Sequence, residues 1–439
     1  MNRRKFLLGS AALGSAFASN FGLNSLSFAQ SGGSTKTIVK IFQRGGADGL
    51  HLFPPVNDPD YINARPNVRV EANNGNATSA VTLPNRGRSP NPGNKIALNP
   101  NLAPLLEIWD EGDLAISPAT HYNNSSRSHF DSQQIIEFGL GQINAESGFF
   151  NRYLEIVNPA LNDTDTLRAI RAGTNSNAPV FFGNVSVPVA QDGNGGLISN
   201  DFCSGTGCSD NQLTETLRTL ASRETDNELE NHVRRADTQL VDTLETIRVA
   251  SSHNTDAGGL EYTNTDMGRG LQLIAQLLKD GNPIEVASLN WNNPGWDTHA
   301  NHLANPGAVL NGNHAEGVRD GANDLLTFYR DMRNSGLLDD VIVIVGSEFG
   351  REVSQNGSRG TDHGFGGAWF SYGGPTNGGI YNAYDNLRPE NLQAGRFVPH
   401  IVSYQDIVGE AMWRHLGVNN AQLAQIFPGH QFTDLRMYA

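Results

Sequence analysis

The sequence predicts an α/β fold, with a doubly wound, mainly parallel sheet and a mainly helical insertion. The first observation is the run Val341–Val345, whose β-branched residues are typical of a strand buried on both faces. The second is the alternation of strand-like and helix-like segments on either side of a central stretch. The third is that polar clusters follow several predicted strands, at the edge where open α/β sheets bind ligands.

The elements follow in order from hydrophobic periodicity and glycine stops. Residues 37–42 form the first predicted strand, which ends at a glycine-rich turn. Residues 101–110 place their apolar side chains on one helical face, and Gly139 ends the helix that begins at Phe130. The remaining predicted elements are strands at 114–116, 283–289, 341–345 and 368–370 and helices at 313–334 and 404–416.

The chain has 439 residues, enough for one large α/β domain with an insertion. We expect two parts of the core, residues 30–149 and 283–439, separated by a mainly helical insertion at 150–282. Apolar residues at helical spacing from Leu229 to Ile247 predict a long helix that packs on the core. Residues 57–100 are rich in Asn, Pro and Gly and predict little regular structure.

Residues 1–29 predict a twin-arginine signal peptide. Arg3 and Arg4 precede a weak apolar stretch, and Ser27 and Ala29 are small residues that suit cleavage before Gln30. An N-terminal membrane anchor is the alternative interpretation. We expect a periplasmic or otherwise exported protein that uses the twin-arginine translocase as a partner during export. It would keep no stable membrane span after cleavage.

The cysteines and the net charge indicate a disulfide and limit the kinds of partner that the protein can bind. Cys203 and Cys208 are the two cysteines, and in an oxidising compartment they predict a disulfide that closes a small loop. The net charge of −14 argues against nucleic acid as a partner. An anionic small molecule or glycan ester remains a possible partner, because the partial positive charge at the start of a helix favours an anionic substrate.

Four polar clusters each follow a predicted strand, and a parallel sheet would bring them to one edge. Carboxylates and imidazoles that converge there are ligands for zinc, manganese, magnesium or calcium, one ion or two. A hydroxyl beside such an ion at the start of a helix would be activated as a nucleophile. The clusters are Asp48 in its glycine-rich turn, residues 126–129, residues 296–302, and Ser347-Glu348 with residues 360–364.

Each cluster also has a structural interpretation, which stays open at this point. Asp48 would bond its own backbone, and Ser128 would cap the following helix. Asp297 and His299 would form a buried hydrogen-bonded pair. Glu348 and Arg351 would form a structural ion pair, with no part in binding.

Five blocks of the sequence resemble the bacterial exported family called domain of unknown function 1501, over residues 36–428. That family is similar in fold to the alkaline phosphatase and sulfatase superfamily. The resemblance implies a metal-dependent hydrolase of phosphate or sulfate esters. The five blocks are residues 42–49, 126–131, 295–299, 347–351 and 360–364.

The resemblance also implies roles for individual residues. The implied metal ligands are Asp48, Asp297, His299, Glu348 and His363, with His302 as another partner for Asp297. Ser128 would be the nucleophile, and Arg127 or Arg351 would neutralise the charge of the substrate.

Two departures from the superfamily pattern bear on the metal. Phe349 stands where the superfamily has a metal-binding histidine, and Glu348 replaces an aspartate. The spacing from Asp297 to either nearby histidine also differs from the usual one. These departures leave two hypotheses: a hydrolase with one or two ions, or a non-catalytic periplasmic or surface protein that binds a partner on a degenerate hydrolase scaffold.

Overall fold

A computed structural model of the chain describes most of the protein. The described residues are 27–28, 36–85, 89–123, 126–157, 167–173, 178–190 and 254–439, with the single positions 219, 243, 246, 247 and 250. The predicted signal peptide (except Ser27 and Phe28), most of the predicted helix at 229–247, and both cysteines lie outside these residues. Within the described residues, no helix combines the length and the apolar character that a membrane span requires.

The strands of the described residues have the following bounds. They are β1 (Ser27–Phe28), β2 (Thr37–Gln43), β3 (Val81–Thr82), β4 (Ala97–Leu98), β5 (Leu114–His121), β6 (Ala169–Ala172), β7 (Val185–Ser186), β8 (Val189–Ala190), β9 (Val286–Asn290), β10 (Val341–Ser347), β11 (Gly367–Tyr372), β12 (Gly379–Ile380) and β13 (Val402–Ser403).

The α-helices of the described residues have the following bounds. They are α1 (Gly49–Leu52), α2 (Pro59–Ala64), α3 (Leu105–Glu111), α4 (His129–Phe138), α5 (Phe149–Val157), α6 (Asp266–Lys279), α7 (Asn313–Asn334), α8 (Tyr404–Arg414) and α9 (Asn420–Ile426). Short 3₁₀ turns lie at Pro92–Asn94, Pro100–Leu102, Pro179–Phe181, Leu338–Asp340 and Pro389–Asn391.

A nine-stranded sheet forms the centre of the fold. Its strand order is β12-β5-β11-β10-β2-β9-β6-β8, and β13 also pairs with β5. β11 runs antiparallel to both of its neighbours, and the other pairs are parallel. The fold class predicted from the sequence, a mainly parallel α/β sheet, is therefore confirmed.

Both faces of the sheet are covered, which explains why β2 and β10 are buried along their whole length. Val39 and Ile41 of β2 face a core that includes α3, α6 and α7. Ile38 and Phe42 face a second core that includes α4, α5, α8 and α9. Because the side chains of a strand alternate, one strand serves both cores.

The local predictions agree well with these bounds. Helix α7 begins at Asn313 and ends at Asn334, and Gly139 ends α4 in the left-handed conformation that glycine adopts at little cost. The predicted strand at 341–345 extends to Ser347. Within the predicted insertion at 150–282, β6 and β8 add two strands to the central sheet. For the part of the insertion that lies outside the described residues, the helical character stays a prediction. The excursion at 57–100 contains the short helix α2.

Candidate metal centre

The carboxyl ends of β2, β9 and β10 lie side by side, and the loops after them meet the start of α4. Asp297 and His299 lie in the loop after β9. His129 is the first residue of α4, where the backbone turns after β5. His363 lies after β10 and forms a backbone bridge with Arg351, which returns the chain to the same edge. Four segments distant in sequence therefore contribute to one site.

Three imidazoles converge on one carboxylate oxygen, Oδ1 of Asp297. The Nε2 atoms of His299, His363 and His129 lie 3.1, 3.2 and 3.3 Å from it. The Nε2 atoms of His299 and His363 are 2.9 Å apart. His129, Asp297 and His363 satisfy the distances for a shared ion, with all three ligand atoms within 4.8 Å of one another.

The other nitrogen of each ring contacts an oxygen. Nδ1 of His129 lies 2.8 Å from Oε1 of Glu348, and Nδ1 of His299 lies 2.8 Å from Oδ1 of Asp362. Nδ1 of His363 lies 2.8 Å from the carbonyl oxygen of Arg127. With a proton on Nδ1 to bond each of these oxygens, the Nε2 lone pair of each ring would be left for an ion, as in carboxylate–histidine–metal sites.

The donor set fits a divalent ion. Ligand atoms around a tetrahedral ion with bonds of about 2.0 Å lie about 3.3 Å apart. The measured separations between Asp297 Oδ1 and the three Nε2 atoms, 3.1 to 3.3 Å, match that value. Two imidazoles and one carboxylate, with a water in the fourth position, are a common ligand combination for zinc-like ions. His129, Asp297 and His363 are therefore the residues that could hold the ion, and His299 lies beside them in contact with Asp297 and His363.

The charges of the site keep Asp297 ionised, as a metal ligand must be. Burial alone would raise the pKa of Asp297, but the hydrogen bond and charge of Arg351 lower it to about 2. Burial opposes protonation of His129, yet the hydrogen bond and charge of Glu348 raise its pKa above the ordinary value. Burial lowers the pKa of His363, which keeps that imidazole neutral at pH 7.

The two arginines predicted to neutralise a substrate differ in their burial and in the number of their hydrogen bonds. Arg351 is fully buried, and its guanidinium donates to Asp297 and to the carbonyl oxygens of Gly45, Gly46, Trp296 and Thr361. Arg127 is exposed, and its contact in the site is one long hydrogen bond of 3.4 Å to the carbonyl oxygen of His363. Arg127 can therefore turn towards a ligand, whereas Arg351 holds Asp297 and the loops in place.

Asp48 lies beside the site but is already bonded. Its Oδ2 accepts from Arg65 at 2.7 Å and from the hydroxyl of Thr361 at 3.2 Å. Its Oδ1 accepts from the backbone N–H groups of Leu50 and His51, so Asp48 caps α1. Burial would raise its pKa, but the ion pair with Arg65 lowers it. The structure thus gives Asp48 a buried ion pair and leaves no oxygen without a partner.

Glu348 lies behind the imidazoles. Its Oε1 accepts from Gln133 at 2.9 Å and from the backbone N–H of Gly45 at 2.8 Å, in addition to its contact with His129. Its Oε2 accepts from the hydroxyl of Ser347 at 2.9 Å. Burial would raise the pKa of Glu348, but the hydrogen bonds from His129 and Gln133 lower it. Glu348 therefore orients His129, and its oxygens are satisfied by protein donors.

Ser128 lies directly before His129 and is the N-cap of α4. Its hydroxyl oxygen accepts from the backbone N–H of Asp131 at 3.4 Å. The capping contact leaves the hydroxyl proton available to another acceptor. Nothing in the geometry tests the predicted nucleophilic role, which stays a prediction.

Phe349 forms an apolar wall of the site. Its ring centroid lies 4.7 Å from that of His129 and 4.9 Å from that of His363. A Cβ atom on Gly46 would come within 2.5 Å of the Phe349 ring, so glycine at this position lets the wall approach. Phenylalanine cannot bind an ion here, but it restricts the positions of two imidazoles that can.

A second group of imidazoles lies near Asp48, whose carboxylate accepts from the backbone N–H of His51. His51, His302 and His314 also satisfy the distances for a shared ion. The ring centroids of His51 and His302 are 4.2 Å apart, and those of His302 and His314 are 4.7 Å apart. Burial lowers the pKa of His51 to about 3 and that of His314 to about 4, and it lowers the pKa of His302 well below its usual value.

The hydrogen bonds of His51 argue against an ion in this second group. The side-chain oxygen of Asn99 accepts from the backbone N–H of Asn101, so the amide nitrogen of Asn99 faces His51. It donates to Nε2 of His51 across 2.9 Å, which places the proton of the neutral ring on Nδ1. His51 therefore has no lone pair left for an ion, and we interpret the group as buried structural imidazoles.

Sequence reasoning missed some of the residues that build the candidate metal centre. His129 lies in a polar cluster that the sequence analysis identified, but the role in that cluster was assigned to its neighbour Ser128. An imidazole at the first position of a helix after a strand was the available signal. No pattern in the sequence pointed to Arg65 as the partner of Asp48, because the two residues meet only through the fold.

Comparisons with solved structures return several proteins at low similarity. The lipoteichoic acid synthase LtaP from Listeria monocytogenes is 9% identical with a TM-score of 0.34, over 97% of this chain and 81% of that one. The alkaline phosphatase from the Antarctic bacterium TAB5 is 11% identical with a TM-score of 0.32, over 79% and 94%. A protein in the alkaline phosphatase superfamily from Vibrio parahaemolyticus is 12% identical with a TM-score of 0.31, over 86% and 71%.

Comparison with curated proteins found no match. The model of one protein family does match, and its description is "Protein of unknown function (DUF1501)". The match covers residues 210–434, just over half of the chain, and includes Asp297, His299 and His363 of the candidate metal centre. The family predicted from the five sequence blocks is thereby confirmed, and the chain belongs to the DUF1501 family.

Proposed function

We propose that this protein is an exported, metal-dependent hydrolase that acts on an anionic ester of the phosphate or sulfate type. The observation that carries the proposal is the convergence of three imidazole Nε2 atoms on Oδ1 of Asp297, at 3.1 to 3.3 Å. With the Nδ1 atoms of His129 and His363 bonded to oxygens, their Nε2 lone pairs would face the carboxylate oxygen of Asp297, and an ion between them would offset that repulsion. Export is supported by the arginine pair and weak apolar stretch of residues 1–29.

His129, Asp297 and His363 would hold the ion, with His299 beside them, and the oxygens behind the rings would keep the Nε2 atoms aimed at it. A bound divalent ion at this position would polarise an ester oxygen and lower the pKa of a water or hydroxyl beside it. Because imidazoles outnumber carboxylates, zinc or manganese should bind more tightly than magnesium or calcium.

The site is open to a substrate on one side. The side chains of Asp297 and His299 are 47% and 45% exposed, whereas Glu348 behind them is fully buried. Arg127 lies on the open side, with its guanidinium over the rings of Phe365 and Phe397 at 5.7 and 5.0 Å. It would bind the negative oxygens of the ester as a charge-assisted donor. Ser128, one residue away, is the candidate nucleophile, and a water is the alternative.

Metal binding tests the first part of the proposal. The purified full chain, stripped with a chelator, would be titrated calorimetrically with Zn²⁺ or Mn²⁺, beside His363→Ala and the control His400→Ala. We expect the titrated ion to bind to the parent and to the control, with a loss of at least 100-fold in affinity in His363→Ala. Equal affinity in all three proteins would contradict the assigned ligands.

Hydrolysis tests the second part. The ion-loaded protein would be assayed with p-nitrophenyl phosphate, p-nitrophenyl sulfate and bis(p-nitrophenyl) phosphate. We expect turnover of at least one ester that Asp297→Asn abolishes. If the protein binds the ion at His363 but turns over none of these esters, the alternative of a non-catalytic exported binding protein is preferred.

A further inference from the structure

One face of α4 continues from the candidate metal centre into the interior as a chain of hydrogen bonds. His129, Gln133 and Glu137 follow one another at intervals of four residues, so their side chains lie on the same face of the helix. His129 belongs to the candidate metal centre. Glu137 is fully buried and lies about 12 Å further along the helix axis. Gln133 lies between the two.

Gln133 joins a carboxylate to a guanidinium. Its side-chain nitrogen donates at 2.9 Å to Oε1 of Glu348, the same oxygen that lies 2.8 Å from Nδ1 of His129. Its side-chain oxygen accepts from Nη1 of Arg44 at 3.3 Å. A carboxylate only accepts hydrogen bonds and a guanidinium only donates them, so these two partners fix the orientation of the amide. An amide, with a donor and an acceptor, suits both neighbours at once.

Arg44 is held from two further sides. Its Nη2 donates to Oε2 of Glu137 at 2.6 Å, and its Nε donates at 3.0 Å to Oδ1 of Asn290, the last residue of β9. The other oxygen of Glu137 lies 3.5 Å from Nζ of the buried Lys40. Because Arg44 contacts α4 and β9 together, it fixes the amide of Gln133 relative to the sheet.

We propose that Gln133 is a positioning residue of the metal centre: supported by Arg44, it holds Glu348 in the place from which Glu348 orients His129. The inference rests on the proposed function. Both contacts of the amide are made with protein groups, so its effect on an ion is indirect. Without the amide, Glu348 would be less firmly fixed, and the ring of His129 would be less firmly aimed at the ion.

The expected effect is smaller than that of a group in direct contact with a ligand. Removal of such a direct partner typically weakens ion affinity about 10- to 100-fold. When the amide is removed, Oε1 of Glu348 keeps two other donors, Nδ1 of His129 and the backbone N–H of Gly45. We therefore expect a loss of about three- to tenfold. Gln133 carries no charge, so an apolar replacement leaves the sum of charges around the ion unchanged.

Binding of Co²⁺ tests the inference without using activity. Gln133→Met keeps a long, helix-forming side chain but removes the amide. The control Gln134→Met makes the same change at the next residue of α4, whose side-chain oxygen accepts from the backbone N–H of Asn144. Calorimetric titration of the chelator-stripped full chain measures the affinity for Co²⁺, and the visible absorption of bound Co²⁺ reports the arrangement of its ligands. Gln133→Asn, whose amide is one methylene shorter, is a second variant that should behave like Gln133→Met.

The possible outcomes separate the two proposals. We expect Gln134→Met to match the parent, and Gln133→Met to lose about three- to tenfold in affinity with an altered absorption spectrum. Added to Glu348→Gln, the change Gln133→Met should cost nothing further, because the amide acts through that carboxylate. Parent-like affinity and spectrum in both Gln133 variants, or an undiminished loss in the Glu348→Gln background, overturn the role of Gln133 and leave the proposed function standing. A parent protein that binds no Co²⁺, or an affinity that persists in His363→Ala, overturns the proposed function and the inference with it.

Discussion

The two most deeply buried imidazoles of the second group, His51 and His302, should make the protein sensitive to mild acid. Both are 2% exposed, and burial lowers the pKa of His51 to about 3 and that of His302 well below its usual value. In the unfolded chain both would titrate near the ordinary value of about 6.5. The unfolded state therefore binds more protons below that pH, so stability is complete above about pH 6.5 and is lost as the pH falls.

The magnitude follows from proton linkage. A histidine that stays neutral in the folded protein and has an unfolded pKa of about 6.5 costs about 2 kcal/mol of stability at pH 5. The pair should therefore cost about 4 kcal/mol between pH 8 and pH 5, a large share of the roughly 5–15 kcal/mol that stabilises a typical domain. The loss should steepen to about 3 kcal/mol per pH unit once both unfolded histidines are protonated.

Urea denaturation at pH 8, 7, 6 and 5 measures this effect. Trp296, whose ring centroid lies 5.7 Å from that of His314, offers a fluorescence signal close to the group. His302→Gln keeps a polar side chain but cannot bind a proton. It should lower the difference in the free energy of unfolding between pH 8 and pH 5 by about 2 kcal/mol.

A matched control separates this effect from general acid sensitivity. His430 hydrogen-bonds Asp406 at 2.7 Å, outside the group, and His430→Gln should leave the contribution of His51 and His302 unchanged. If His302→Gln follows the same pH profile as the parent, the buried imidazoles do not govern acid stability and the reasoning fails.

Three further predictions concern the metal centre and its surroundings. Glu348→Gln removes the carboxylate that orients His129 and should weaken ion affinity about 10- to 100-fold in a calorimetric titration, whereas unchanged affinity would refute the orienting role. Asp48→Asn leaves Arg65 buried without its counter-charge and should destabilise the protein by about 3–5 kcal/mol in urea denaturation, with the ion stoichiometry unaltered; a lost ion would instead make Asp48 a ligand. Ser128→Ala should cost about 1 kcal/mol through the lost helix cap, and it should abolish ester turnover if the hydroxyl is the nucleophile; retained turnover would favour a water.

The parts of the fold that depend on local pattern could be predicted. The strand that begins at Val341 followed from a run of β-branched residues, and the helix Asn313–Asn334 followed from periodicity over six turns. Gly139 was recognisable as a helix end because few other residues adopt its backbone conformation at so little cost. Each of these patterns involves residues close together in the sequence, so the sequence alone is enough to predict the element.

The parts that depend on long-range pairing could not be predicted. The antiparallel direction of β11 and the addition of β6 and β8 to the sheet require partners more than a hundred residues apart for several pairs. The contacts of Asp48 and His129 could not be predicted for the same reason, because their partners lie far away along the chain. A carboxylate after a strand predicts a ligand equally well whether or not a buried guanidinium lies beside it.

The sequence by itself determined the fold class, the family and the edge of the sheet where polar groups gather. The hydrophobic periodicity of an element and the polar residues at the end of a strand involve neighbouring residues. Both can therefore be recognised without knowledge of the fold. Only the tertiary structure decided which of those polar groups meet. It placed His129 with Asp297, His299 and His363, and it assigned Asp48 to Arg65. The physical reason is that ion binding and ion pairing depend on separations of about 3 Å between side chains that lie far apart along the chain.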